Sequence, residues 1–125
     1  MDKQLKKISD ATKIIDDYID YATIEGESKL NGDYKTGNIM AKKLNKLFNM
    51  LEKDNALAQE VIGTLLKCDS IRARSLSAVD ALRLNIFVDD AVTTLQVISK
   101  RGDIIGFGCE MALKIWQGEV PGKTL

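Results

Sequence analysis

The chain contains no histidine, which removes the commonest general base and the commonest metal ligand. Ser–His and Cys–His nucleophile systems are excluded with it. Cysteine is scarce. Cys68 and Cys109 are the only two, they form no CxxC pair, and two isolated thiols without histidine do not make a zinc site of the usual type. Each lies in an apolar stretch with helical spacing, so both are expected to be buried, reduced thiols. Sequence alone leaves a disulfide between them open. Proline occurs once, at Pro121, so everything before it is free to be helical. No Walker-type phosphate loop is present. Gly106 and Gly108 match part of a dinucleotide fingerprint, but no strand precedes them and the third glycine is missing. They are expected to allow close helix packing instead. No apolar run approaches the roughly 20 residues of a membrane span. Asp10, Lys13, Asp16 and Asp17 interrupt the first segment before a signal-peptide core develops. The expectation is a cytoplasmic protein with no membrane contact.

The charges cancel: 18 Lys and Arg face 18 Asp and Glu. A general nucleic-acid binder usually carries a basic excess, so this balance argues against one. At 125 residues the chain is expected to be one domain. Such a chain buries roughly two-thirds of its unfolded surface without help from disulfides or metals. The expected boundaries are 1–118 for the domain and 119–125 for a loose tail.

What the chain does have is helical periodicity, from end to end. Leu5, Ile8, Ala11, Ile15, Tyr18, Ile19 and Ala22 recur at three- and four-residue steps, predicting a first helix from about Lys3 to Ile24 that Gly26 stops. A polar link with Glu27, Ser28, Asn31, Gly32 and Asp33 follows. A second helix spans about Tyr34 to Lys53, with Met40, Leu44, Leu47, Phe48 and Leu51 inward. Asp54 is a candidate cap for a third helix carrying Leu57, Val61, Leu65 and Leu66. Asp69 and Ser70 precede a fourth, with Ile71, Leu76, Val79 and Leu82, which Asn85 ends. Asp89 and Asp90 open a fifth, with Val92, Leu95 and Ile98 inside. Lys100 and Arg101 suit its last turn, and Gly102 suits its end. Asp103 caps a sixth, Ile104 to Trp116, stopped by Gly118. Trp116, with Phe107, Met111 and Ile115, is expected to plug the end of the core. The one strand candidate, Asn85 to Val88, is too short to anchor a sheet. Six helices on short turns predict an all-α domain.

Carboxylates are the plentiful reactive groups. Asp16, Asp17 and Asp20 cluster on the first helix, and Asp16 and Asp20 share a face at i, i+4. A carboxylate-based enzyme would need two of them converging in one pocket. Lys42, Lys43 and Lys46 form a small basic patch, without the interleaved aromatics that stack nucleic-acid bases. Arg72 and Arg74 read as surface residues near a helix start, paired with nearby acids.

Two runs carry a resemblance. Asp69, Ser70, Ile71 and Arg72, with Leu76 and Val79, are followed by Asp89, Asp90, Ala91 and Val92, with Leu95. Both look like the Asp-capped first helix of a HEAT-type hairpin, a unit that buries its apolar face only by stacking. Gly106, Phe107, Cys109, Met111, Trp116 and Gly118, with Gly32, Asp33, Lys35 and Asn38 earlier, resemble a small bacterial family of HEAT-like helical domains. Family members often carry Ala where this chain has Cys109. The resemblance implies a HEAT-like α-α superhelix of three hairpins and assigns no catalytic residues. Such domains are similar to the small helical immunity proteins encoded beside bacterial toxins. By that analogy the chain would bind a protein partner, a basic toxin domain such as a nuclease, through an acidic face of its first, third and fifth helices. The candidate residues are Asp16, Asp17, Asp20, Glu60, Asp89 and Asp90. No catalytic residue, cofactor, metal or small-molecule substrate is indicated. The alternatives are a general scaffold or regulatory adaptor, a nucleic-acid binder using the lysine patch, and the carboxylate enzyme.

Overall fold

The computed structural model describes residues 2–125, with side chains described from Asp10 onward. It consists of α1 (Asp2–Asn31), α2 (Tyr34–Glu52), α3 (Asn55–Leu65), α4 (Ile71–Leu84), α5 (Val88–Ile98) and α6 (Ile104–Trp116), and no strand occurs among the described residues. The protein is all-α with six helices. The inward placement expected of Leu5 and Ile8 lies outside the described side chains.

Helix α1 is longer than its pattern suggested. It passes through Gly26 and ends at Gly32, whose φ of 75° is the left-handed conformation that glycine adopts without penalty. The Asp33 N–H then donates to the Ser28 carbonyl at 2.8 Å, the six-to-one bond of a Schellman ending. Asp33 immediately caps α2, accepting from the Thr36 N–H at 3.2 Å, so the expected polar link shrinks to two residues. Gly26 has another role: a Cβ there would lie 3.0 Å from Cγ of Arg72. Glycine at this point lets α4 approach α1.

Three expected caps are in place. Asp54 accepts from the Leu57 N–H at 3.1 Å, Ser70 from Ala73 at 3.2 Å and Asp103 from Gly106 at 3.0 Å. Asn85 ends α4 in the left-handed region with φ 57°. The next turn corrects the pattern reading. Asp89 and Asp90 do not cap α5; the cap position is Phe87, with φ 47° and no side-chain hydrogen bond. The two aspartates stand in the first turn instead, where their charge complements the helix dipole. Two left-handed residues in the segment 85–87 also exclude the strand considered there. Helix α5 ends at Ile98, so Lys100 and Arg101 lie in the turn after it. Arg101 pairs with Asp103 at 2.6 Å.

The three sequence-adjacent hairpins all pack, as do α2 with α3 and α4 with α5. Helix α1 also reaches α3, α4 and α6, and α4 also reaches α1 and α6. The two therefore form the centre of the molecule. Helix α4 can hold this place because its buried positions, Leu82 apart, are small: Ala73, Ser75, Ser77, Ala78 and Ala81. Short side chains let neighbouring helices approach on several sides. Larger side chains come from around it: Ile14 and Tyr18 of α1, Leu51 of α2, Ile62 and Leu65 of α3, Leu95 of α5, and Ile105 of α6.

Two features of the C-terminal end depart from expectation. Trp116 does not plug the core; it is 40% exposed, and Ile105, Cys109, Ala112 and Leu113 do the packing on α6. Segment 119–125, expected to be loose, turns back. The Glu119 N–H donates to the Lys114 carbonyl at 2.9 Å, and Leu125 packs half-buried on the core. Cys68 and Cys109 are both free thiols. No helix among the described residues is long and apolar enough to cross a membrane.

Candidate functional site

Asp16 and Asp20 sit one turn apart on α1, both exposed. Among the described residues neither is in an ion pair. Asp17 points elsewhere: its carboxylate accepts from Lys13 at 3.0 Å and is half-buried, and this contact raises the Lys13 pKa. The expected aspartate trio therefore divides into two free acids and one neutralised acid.

Asp20 stands on the edge of a groove between α1 and α2, about 460 Å³ in volume and lined by Asp20, Tyr21, Ile24, Glu27, Met40 and Lys43. Ile24 is an exposed apolar side chain on its wall. The Lys43 ammonium lies 5.2 Å from the centre of the Tyr21 ring. Apolar Tyr21, Ile24 and Met40 thus share the lining with two carboxylates and one cation. Lys42 and Lys46 are exposed on the same helix as Lys43.

The other three candidate acids lie on other helices. Glu60 is exposed on α3. Asp89 and Asp90 are exposed at the start of α5, and Asp90 borders a second groove with Gly63, Leu66, Lys67, Phe87, Thr93 and Thr94. The Phe87 ring fills the space beside Gly63, 3.3 Å from where a Cβ would stand. Phe87 itself is in the left-handed conformation, with φ 47°, that bulky residues rarely adopt.

The structure also contains a polar cluster that sequence reasoning did not find. The Tyr18 hydroxyl of α1 donates to the Asp80 carboxylate of α4 at 2.7 Å. Arg83 lies 3.5 Å from the same carboxylate and stacks its guanidinium over Phe48, 3.7 Å from the ring centre. Two turns along α1 and two along α4, Arg72 donates to both oxygens of Glu25 at 2.7 and 3.1 Å and to the Ser75 hydroxyl at 3.3 Å. Arg72 had read as a surface residue paired with an acid. The pairing is present, but its side chain is only 14% exposed. Among the described residues the buried Nε of Arg74 has no hydrogen-bond partner. Burial pushes the Asp80 carboxyl up to about 6, against the opposing pull of Tyr18 and Arg83. Burial, then Asp80, raises the Tyr18 hydroxyl well above its ordinary value. Burial likewise raises the Cys109 thiol, so its reactive thiolate is disfavoured.

Glu25 and Asp80 do line one cavity, of about 150 Å³, together with Tyr18, Asn45, Phe48, Leu76 and Arg83. The carboxylate chemistry weighed above asks for such a pair. Here, however, both Glu25 oxygens are held by Arg72, and Asp80 accepts from Tyr18 and faces Arg83. The two acids are engaged in ties between α1 and α4. The available signal for this cluster was faint: Tyr18 and Glu25, like Arg72 and Asp80, are polar groups at positions that a core-facing stripe would reach. Among the described residues no group of three His, Cys, Asp or Glu is placed to hold a metal ion.

A further groove, about 430 Å³, lies between α2, α4 and α6 and is lined by Phe48, Glu52, Leu82, Arg83, Ile115, Trp116, Thr124 and Leu125. The turned-back tail forms part of its wall. Comparison with family models, curated proteins and solved structures finds no match for this chain.

Proposed function

We propose that the chain is a non-catalytic protein-binding module, and most concretely an immunity protein that binds a basic toxin domain and neutralises it. The groove between α1 and α2 carries this reading. Its apolar lining residues offer area to bury, and Asp20 and Glu27, with Asp16 one turn away, supply negative charge beside them. With Lys43 the one cation in the lining, the excess of charge here is negative, and such an excess around an apolar patch steers an oppositely charged partner and raises its association rate more than its final affinity.

The test is binding to a toxin domain encoded beside this gene. With Asp16→Asn and Asp20→Asn together, the association rate at low salt should fall about tenfold while dissociation changes little. Adding salt should lower the wild-type rate toward that of the variant. Neutralisation of the toxin by the wild type, and its loss with Ile24→Glu, is the functional readout. An unchanged association rate removes the acidic groove from the interface. A partner with no toxic activity identifies an adaptor instead.

A further inference from the structure

Arg83 lines two spaces at once. On one side is the cavity of about 150 Å³ that holds Tyr18, Glu25 and Asp80. On the other is the groove of about 430 Å³ that holds Glu52, Ile115, Trp116 and Leu125. Phe48 lines both, and the Arg83 guanidinium lies 3.7 Å from the centre of its ring. The stack holds the arm at the boundary without deciding which carboxylate it serves. On the cavity side Asp80 is 3.5 Å away, longer than the roughly 2.7–2.9 Å of a close charge-assisted hydrogen bond. On the groove side stands Glu52, exposed and, among the described residues, in no ion pair. Glu52 follows Phe48 by one turn of α2. An i, i+4 spacing puts its carboxylate next to the ring that carries the guanidinium.

We propose that Arg83 is a two-position arm: it stays over the cavity while Asp80 is charged, and slides along Phe48 to pair with Glu52 when Asp80 is protonated. Nothing else in the cavity holds the guanidinium inward. The other ionisable groups around Asp80 are Tyr18 and Glu25 of α1 and Arg72 of α4. Tyr18 is a neutral donor, and Glu25 gives both oxygens to Arg72. Helix α2 adds no charged residue to the cavity and only Glu52 to the groove, α6 adds no charged residue to either, and α3 and α5 line neither. One charge therefore keeps the arm in place. Across a part-buried gap that attraction exceeds the pull of a carboxylate in water, so charged Asp80 outcompetes Glu52 and neutral Asp80 does not. The Asp80 side chain is 13% exposed, and burial puts its proton equilibrium near pH 6.

The exchange changes what the groove presents. With Asp80 charged, Glu52 is a free carboxylate in the lining that also holds Trp116 and Leu125. With Asp80 neutral, an Arg83–Glu52 pair takes up that charge and adds a tie from α4 to α2, a helix that otherwise packs on α1 and α3. A buried protonation event is thereby read out as a change of charge on the surface.

Nitrogen–proton NMR spectra of the arginine side chains, recorded from about pH 5 to about pH 8, follow the arm directly. The Arg83 Nε–H resonance should move with a midpoint near pH 6, and Trp116 fluorescence should change with the same midpoint. At the acid end an NOE should join the Arg83 δ-methylene to the Glu52 γ-methylene, and it should vanish at the alkaline end. Asp80→Asn should hold the resonance at its acid position throughout. Glu52→Ala, an exposed change that leaves the helices intact by circular dichroism, should reduce the movement. An Arg83 resonance that does not titrate overturns the proposal. So does equal titration in Asp80→Asn, unchanged movement in Glu52→Ala, or an acid form without the Glu52 contact. If Asp80→Asn does not fold, the wild-type NOE and the Glu52→Ala titration decide the matter alone.

Discussion

The Tyr18 hydroxyl and the Asp80 carboxylate, 62 positions apart in sequence, meet at 2.7 Å between the two central helices. Tyr18 is fully buried, and Asp80 is nearly so. This bond gives a buried carboxylate a donor that water cannot supply, and its effect on stability depends on pH.

Burial raises the folded-state pKa of Asp80 from 3.8 to about 6. Between those values the folded protein holds a proton that the unfolded chain has released. The contribution of this group is fully present below about pH 4 and is lost as pH rises through about 6. Two units correspond to at most about 3 kcal/mol. Asp33 and Asp103 work in the opposite sense: hydrogen bonds and, for Asp103, Arg101 lower their pKa values, so their contribution is lost as pH falls below about 4. Asp80→Asn, neutral at every pH, should gain stability relative to the wild type at pH 7.5 compared with pH 4.5 in urea unfolding. An equal difference at both pH values would contradict the burial account.

Tyr18→Phe leaves the ring in place and removes the donor. Stability should fall by about 1–2 kcal/mol near neutral pH, the usual cost of orphaning a buried acceptor. In the Asp80→Asn background the same change should cost less, because no charge is left uncompensated. Chemical denaturation of the four proteins of the cycle measures the coupling.

Arg72 and Glu25 form the second tie, with side chains 14% and 12% exposed. Removing either partner alone strands a buried charge, so Glu25→Ala or Arg72→Ala should each cost about 3–5 kcal/mol. The double variant should cost clearly less than the two single changes combined. Additive losses would mean that the pair is a packing contact and not an ion pair.

Glycine replacements separate close approach from open surface. Gly26→Ala places a methyl group 3.0 Å from Cγ of Arg72, a stem already fixed by its bond to Glu25, and should cost about 1–3 kcal/mol. Gly108→Ala meets nothing within 4 Å and should stabilise the fold by about 0.5–1 kcal/mol. Thermal unfolding at low micromolar concentration distinguishes them by sign. Gly106→Ala belongs with the first, because its Cβ would run into the carbonyl oxygen of Arg101.

The free acids of α1 were legible because Asp16 and Asp20 repeat at a helical step on a strongly amphipathic segment. The groove beside them was not, since Met40 and Lys43 join Tyr21 and Ile24 only once α2 folds back on α1. Trp116 was misread for a related reason. Its helical phase does not tell how far the neighbouring helices extend, and α6 ends at this residue.

Local rules were sufficient to determine the number of helices, the caps at Asp54, Ser70 and Asp103, and the stops at Asn85 and Gly118. Each depends on residues within about five positions, where backbone hydrogen bonding and φ preference act without regard to the rest of the chain. Only the tertiary structure decided which polar residues were buried and with which partners. Glu25 finds Arg72 across 47 positions and Tyr18 finds Asp80 across 62. Whether such a side chain is a solvated charge or an interhelical tie is set by the approach of α1 to α4. That approach depends on Gly26 and the small residues of α4, and no helical period records it.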